Sequence, residues 1–527
     1  MRAALIDSLE SFFPDSDAAK IGAAKAALDV ARGGTAAVHV LLGNVPAGAE
    51  LSLSVKAAGR AAPTARWSRL LDVPVEINTG LVGFVERKGR PKNPHVIRRA
   101  PFRVYDAIQP IASPVKAPAA TVALRLEIPV ARNAKPGTRK YALTIAAGPQ
   151  KRQLEVTVTV HKALIPPVGR RSLPYTNWFS LALMAKRHGL KPFSEAHWEM
   201  IARYARLMVR GRQNAFWLPW GDIFRRTKAG LVLDRPKMRR IVRTFTEAGM
   251  YHIEGGHVGH RTGGKWTSPT FDITMGGPRA TSPEGEADLA KACKQLVDEI
   301  ERNGWRDRWV QHVTDEPIDV NAADYCKLAA MVRKNMPDLP ILDATESEKL
   351  VGLVDIWCPK AQEYQRRRTF FDARKAAGDR VWVYTCCFPG GPWLNRLLDM
   401  ELLRPALLGW ATARYDLDGF LHWGLNHYRT DQDPFQQSVV AHGGSNSLPA
   451  GDTHVIYPGK GAPWSSLRFE AQREGLEDYE LLKQLKAKDP KAAARILARA
   501  FRSYDDYTKE TRTFRSARKA LLEALGK

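Results

Sequence analysis

"WVQHVTDEP", residues 309–317, runs from an apolar stretch into two adjacent carboxylates, Asp315 and Glu316, and is stopped by Pro317. Trp309, Val310 and Val313 read as a buried strand, and proline, which has no N–H to donate, ends regular pairing. Helical periodicity flanks it on both sides, in "EADLAKACKQLVDEIERNG" before and "AADYCKLAAMVRKNM" after. Helix, strand and helix in that order are the unit of a parallel α/β sheet.

The same texture recurs outward from this point. Strand-like bursts occur at 173–179 (LPYTNWF), 214–218 (NAFWL), 251–256 (YHIEGG), 309–316, 341–345 (ILDAT), 354–359 (VDIWCP), 381–386 (VWVYTC) and 418–424 (DGFLHWG). Eight strand-helix units predict a (β/α)8 TIM-type barrel over 170–450. The fifth burst is short, and the insert from Gly259 to Ser282 has no clear pattern.

Toward the N-terminus the period changes to two. In "TVALRLEIPV", Val122, Leu124, Leu126 and Ile128 alternate with Ala, Arg and Glu, and "YALTIAA" and "LEVTVTV" continue the pattern after Pro136-Gly137. Short alternating strands with Pro/Gly turns predict an antiparallel β-sandwich over 1–165, followed by "IPPVG" as linker. Past the barrel, "PWSSLRFEAQREGLEDYELLKQL" opens a mainly helical C-terminal region, 451–527. The expected fold class is multidomain α/β plus all-β.

Composition agrees with that plan. A chain of 527 residues, 44% hydrophobic and with 14 Trp, exceeds one core and is not disordered. No apolar run reaches the roughly 18–20 residues of a membrane-spanning helix. Five cysteines, odd in number and absent from the first half, argue against a disulfide framework. The formal charge of +25 is scattered, with no zinc spacing, basic zipper or RNA-binding signature. A solvated basic surface is expected rather than a nucleic-acid site, and attraction to an acidic glycan is the intermediate reading. "MRAALIDSLESFFPDSD" does not read as a secretory signal. The expectation is a periplasmic or secreted protein if a signal was removed, and a cytoplasmic one otherwise; the oligomeric state is left open.

In such a barrel the reactive groups gather at the C-terminal ends of the strands, where Asp315 and Glu316 fall. An acidic pair there can also merely favour the positive end of the next helix. Other strand ends, however, collect sugar-binding residue types: Asn177, Trp178, Trp217, Trp220, His257, Trp357, Tyr384, Trp393, Trp423, Asn426 and Tyr428. Aromatic rings stack on pyranose faces, and Asn, His and carboxylates bond their hydroxyls. A carbohydrate substrate is expected.

An ordinary retaining glycosidase needs a nucleophilic carboxylate about 5 Å across the cleft from its acid/base. The seventh and eighth strand ends, "YTCCFPGG" and "HWGLNHY", supply none, which leaves Glu254, Asp343 and Glu346. If none serves, a substrate's own 2-acetamido oxygen can attack the anomeric carbon, with Asp315 orienting its N–H and Glu316 as acid and then base. A regular strand would point neighbours to opposite faces, so a bulged strand end is expected. His252, Glu254, His257 and His260 lie close in sequence but match no common metal spacing; no metal and no cofactor are expected.

"HVTDEP", "VWVYTCCFPGGPWLNRLLD", "LGWATARYDLDGFLHWGLNHY" and "SSLRFEAQREGLEDYELL" resemble glycoside hydrolase family 123, catalogued earlier as domain of unknown function 4091. "NAKPGTRKYALTIAA" resembles the N-terminal sandwich of that group, and the likeness runs from about Thr35 to Leu482. Characterised members are similar to retaining β-N-acetylgalactosaminidases with substrate-assisted catalysis. The resemblance implies Asp315 as the acetamido-orienting residue and Glu316 as general acid/base. Tyr384, Trp423 and Trp357 are expected sugar contacts, joined by Trp393, His257 and Asn426. The alternatives are a glycosidase for another, acidic glycan with a different nucleophile, and a non-catalytic glycan-binding protein.

Overall fold

The computed structural model describes residues 1–57 and 64–527. The chain forms two compact units of mixed α and β structure. One comprises 1–167, 387–415 and 426–527; the other comprises 168–386 and 416–425. No helix among the described residues is long and apolar enough to cross a membrane.

The first unit holds two five-stranded sheets. One, in spatial order Arg2–Asp7, Thr35–Gly43, Val122–Pro129, Arg66–Val75 and Phe102–Pro110, is antiparallel throughout. The other runs Lys25–Arg32, Gln150–Leu164, Gly137–Ala147, Glu50–Ala57 and Val115–Lys116, with its first pair parallel. The period-two residues Val122, Leu124, Leu126 and Ile128 share one buried cluster with Leu143, Ile145, Val156 and Val158 of the other sheet.

The intervening residues are not solvated as alternation suggests. Arg125 and Glu127 are buried and paired at 3.0 Å. The helix Leu467–Lys488, capped by Ser466, lies in the same unit and is buried on nearly every side. Its charges are internal: Arg473 pairs with Glu470 at 2.8 Å, and Arg468 with Asp106 at 2.9 Å. Gly475 on this helix and Gly409 on the helix Leu403–Arg414 let the two backbones cross in contact, since a Cβ at either would overlap the other helix.

The second unit is built on short parallel strands, labelled here β1 (Tyr175–Asn177), β2 (Ala215–Leu218), β3 (His252–Gly255), β4 (Trp309–Gln311), β5 (Leu342–Asp343), β6 (Ile356–Trp357), β7 (Arg380–Thr385) and β8 (Gly419–His422). They fall in two sheets, β2-β3-β4 and β1-β8-β7-β6-β5. A parallel bridge, Gln311 to Ile341, links the β4 and β5 segments, and the Asn214 N–H donates to the Tyr175 carbonyl on the other side. Seven of the bursts read from the sequence hold one of these strands, and β7 begins one residue before its burst. Val310, Leu342, Ile356, Trp382, Tyr384 and Leu421 share a core. The patternless insert is a hairpin, Gly259–Arg261 against Phe271–Ile273.

Candidate active site

Strand β4 stops at Gln311, earlier than the sequence suggests, and His312–Pro317 leave it as a non-repetitive segment. The Val313 carbonyl accepts N–H groups from Val258 (3.1 Å) and Gly259 (3.0 Å), which anchors the departure. Glu316 then adopts φ +42°, left-handed backbone that costs a non-glycine residue roughly 1–2 kcal/mol. A turn, rather than a bulge in the strand, thus breaks the alternation of the two carboxylates. Surrounding side chains hold it. Arg261 donates through Nη1 to the Asp315 carbonyl (3.0 Å) and through Nη2 to that of Glu316 (2.6 Å). Thr345 donates to the Pro317 carbonyl at 2.9 Å.

Asp315 is exposed and Glu316 half-buried. The Tyr384 hydroxyl donates to Glu316 Oε1, and burial beside that carboxylate keeps the phenol protonated. Although the Asp315 side chain reaches solvent, desolvation by the surrounding protein, then the Glu316 charge, push its carboxyl up to about 7, against the opposing pull of Arg261 and His312. Two neighbouring carboxylates resist ionising together.

Beneath the pair lies a buried network. His312 Nε2 meets Glu254 Oε1 at 2.8 Å, and its Nδ1 meets Asp343 Oδ1 at 3.1 Å. Asp343 also accepts from Val313 N (3.2 Å) and the Tyr325 hydroxyl, and Glu254 Oε1 accepts from Trp178 Nε1 (2.8 Å). Burial alone would depress the His312 pKa, but hydrogen bonds to Asp343 and Glu254 raise it to about 9. Burial raises the Asp343 carboxyl despite these donors. The two shifts pull differently on the ion pair; with both imidazole nitrogens on carboxylates, His312 is the group that carries charge.

The folded-state pKa of His312 exceeds its ordinary 6.5, so its stabilisation is complete below about 6.5 and is lost as pH rises through 9. The melting temperature should fall over that window, and less so in His312→Gln. Equal falls in both proteins would refute the assignment.

Trp178 and Trp217 stack at 4.4 Å, and His257 sits edge-on to both and to His312. Ligand atoms of His257, His312 and Asp343 lie within 4.8 Å of one another, the one grouping among the described residues suited to a cation. Both His312 nitrogens are already engaged there, so a metal would have to break the network. The sequence-adjacent set is not assembled in that way: Glu254 is buried, whereas His260 is exposed on the hairpin.

Of the residues picked from the sequence, Tyr384 meets Glu316, and His257 joins the aromatic nest over His312. Trp357 does not join them. Ile356 and Cys358 enter the core, so Trp357 between them faces the other way, fully buried, with Nε1 on Asp379 (2.8 Å) and its ring against Phe370. Trp220 is likewise interior, against Phe224. Trp423 follows β8 and is half-buried. Trp393, Asn426 and Tyr428 belong to the first unit. There the Trp393 carbonyl accepts from Arg404, buried Asn426 bridges to His454, and Tyr428 donates to Ile456 O.

Sequence reading missed Arg261 and Trp266. The Arg261 guanidinium lies 4.1 Å from the Trp266 ring centroid, and Trp266 is 52% exposed. A "GHR…KW" stretch in an aperiodic insert gives only a weak signal: an aromatic on a loop beside a cation.

Residues 269–485 match the family model described as "Glycoside hydrolase 123, catalytic domain". Among solved structures, the chain is similar to a family 123 glycoside hydrolase from Clostridium perfringens, studied for glycolipid glycan hydrolysis. Identity is 12% over 99% of this chain and 97% of that one, with a TM-score of 0.72, a likeness of fold. A β-glucuronidase from Parabacteroides merdae (12% identity, 85% of this chain and 50% of that one) and a GH10 xylanase with a bacterial Ig-like domain from termite gut (11%, 87% and 100%) reach TM-scores of only 0.33 and carry no argument. No curated protein matches the sequence. The match of 269–485 to a glycoside hydrolase catalytic domain supports a glycosidase. In that segment the chain resembles glycoside hydrolase family 123, and its fold is similar to that of a family 123 enzyme.

Proposed function

We propose that the protein is a retaining β-N-acetylhexosaminidase, β-N-acetylgalactosaminidase-like, in which the substrate's acetamido oxygen is the nucleophile. Asp315 accepts the acetamido N–H and stabilises charge as the oxazoline forms. Glu316 protonates the leaving oxygen, then takes a proton from the water that opens the ring. The observation that carries this reading is the state of the other carboxylates. Glu254 and Asp343 are fully buried and held by His312, Trp178 and Tyr325, so an anomeric carbon has no approach to them. Glu346 is ion-paired to Lys360 at 3.8 Å.

The same reading divides the chain into a β-sandwich (1–165), a (β/α)8 catalytic barrel (170–450) and a helical region (451–527). Two five-stranded sheets with a shared core and eight short parallel strands support it. Tyr384, His257 and Trp423 remain proposed sugar contacts. Hydrolysis of a panel of aryl β-glycosides, with the first-formed anomer followed by NMR, tests the function. Retention and strong preference for 2-acetamido over 2-hydroxy sugars are expected; inversion, or efficient cleavage of a 2-hydroxy glycoside, would exclude substrate assistance.

A further inference from the structure

We propose that the groove beside Glu316 is a subsite for a second, neutral pyranose, the leaving-group sugar, with Trp266 as its stacking face and Glu346 and Lys360 as its hydroxyl partners. The proposal rests on Glu316 as the acid, because the subsite next to the acid receives the leaving group. A lone exposed aromatic is ordinary on a protein surface. Trp266 differs in two respects. Its ring is fixed by Arg261, the side chain that also holds the Asp315 and Glu316 carbonyls, so platform and carboxylates share one anchor. It also forms one wall of a shallow groove whose other walls include Glu316, Thr345, Glu346, Lys360 and Tyr384.

The polar side of the groove is suited to hydroxyls. Glu346 Oε1 lies 3.8 Å from Lys360 Nζ, and both side chains are partly exposed. A sugar hydroxyl can donate to the Glu346 carboxylate while a neighbouring hydroxyl accepts from Lys360. An aromatic face opposite convergent polar groups is the usual composition of a carbohydrate site. Charge decides against an acidic ring. Glu346 offsets Lys360, so this wall carries no net positive charge to hold a carboxylate or sulfate.

Binding of non-hydrolysable ligands separates this proposal from the catalytic one. The 2-acetamido sugar that binds wild type more tightly, galacto or gluco, is compared as its methyl thioglycoside and as a thio-linked disaccharide with a neutral hexose at the reducing end. Wild type is expected to bind the disaccharide about tenfold more tightly, the scale of one aromatic contact. Trp266→Ala should erase that preference and leave methyl thioglycoside affinity unchanged, while Trp266→Phe restores part of it. A preference that persists in Trp266→Ala, or none in wild type, would overturn the subsite. Retained turnover in Glu316→Gln would instead sink the acid role, and the thioglycoside comparison would stand apart from it.

Discussion

Replacing Glu316 by Gln is expected to lower kcat/KM for an unactivated β-N-acetylhexosaminide by about 10³–10⁴, the upper range for a positioned general acid. The amide preserves shape and can still receive the Tyr384 hydroxyl, so the loss reports proton transfer rather than packing. The size of the effect should depend on the leaving group. A dinitrophenolate departs without protonation, so the drop in kcat/KM should nearly vanish for that aglycone. Equal losses for both substrates would mean that Glu316 acts in some other way.

Removal of the Asp315 carboxylate should lower kcat by on the order of 10²–10³ while binding changes far less, as when one preorganised transition-state partner is lost. Inhibition by a thiazoline that mimics the oxazoline should weaken in parallel. A pH profile provides a second readout. The Asp315 carboxyl is raised to about 7, so the carboxylate proposed to accept the acetamido N–H forms only as pH rises through that value. On the acid side, kcat/KM should therefore fall below an apparent pKa near 7 that belongs to the pair, and that limb should be absent in Asp315→Ala. An unchanged limb in the variant would assign the titration elsewhere.

Strand identity was legible in the sequence because short Val-, Ile- and Trp-rich bursts between amphipathic helices have few other uses. Side-chain direction was not. Strand β6 is two residues long and buried on both faces, so nothing in "DIWCP" tells whether Ile356 or Trp357 enters the core. The acidic pair was legible as a candidate, but its geometry was hidden. Left-handed backbone usually announces itself through Gly or Asn, whereas here a Glu is held at φ +42° by Arg261 from a distant hairpin. The hairpin itself is missed by periodicity, since its strands are three residues long.

Buried charge left no mark in the sequence. Arg468, Arg473 and Arg518 are buried in pairs with Asp106, Glu470 and Asp478. Acid-base complementarity among segments far apart in the chain has no local signature. Such pairs are costly to break singly, because the remaining charge stays buried.

The most direct test of the mechanism is a series of aryl glycosides whose N-acetyl group carries zero, one, two or three fluorines. Each fluorine withdraws electron density from the carbonyl oxygen and weakens it as a nucleophile, with little change in size. If the acetamido oxygen attacks the anomeric carbon, kcat/KM will fall steeply and monotonically along the series. A flat profile would contradict the account and return the nucleophile to a protein carboxylate or a water.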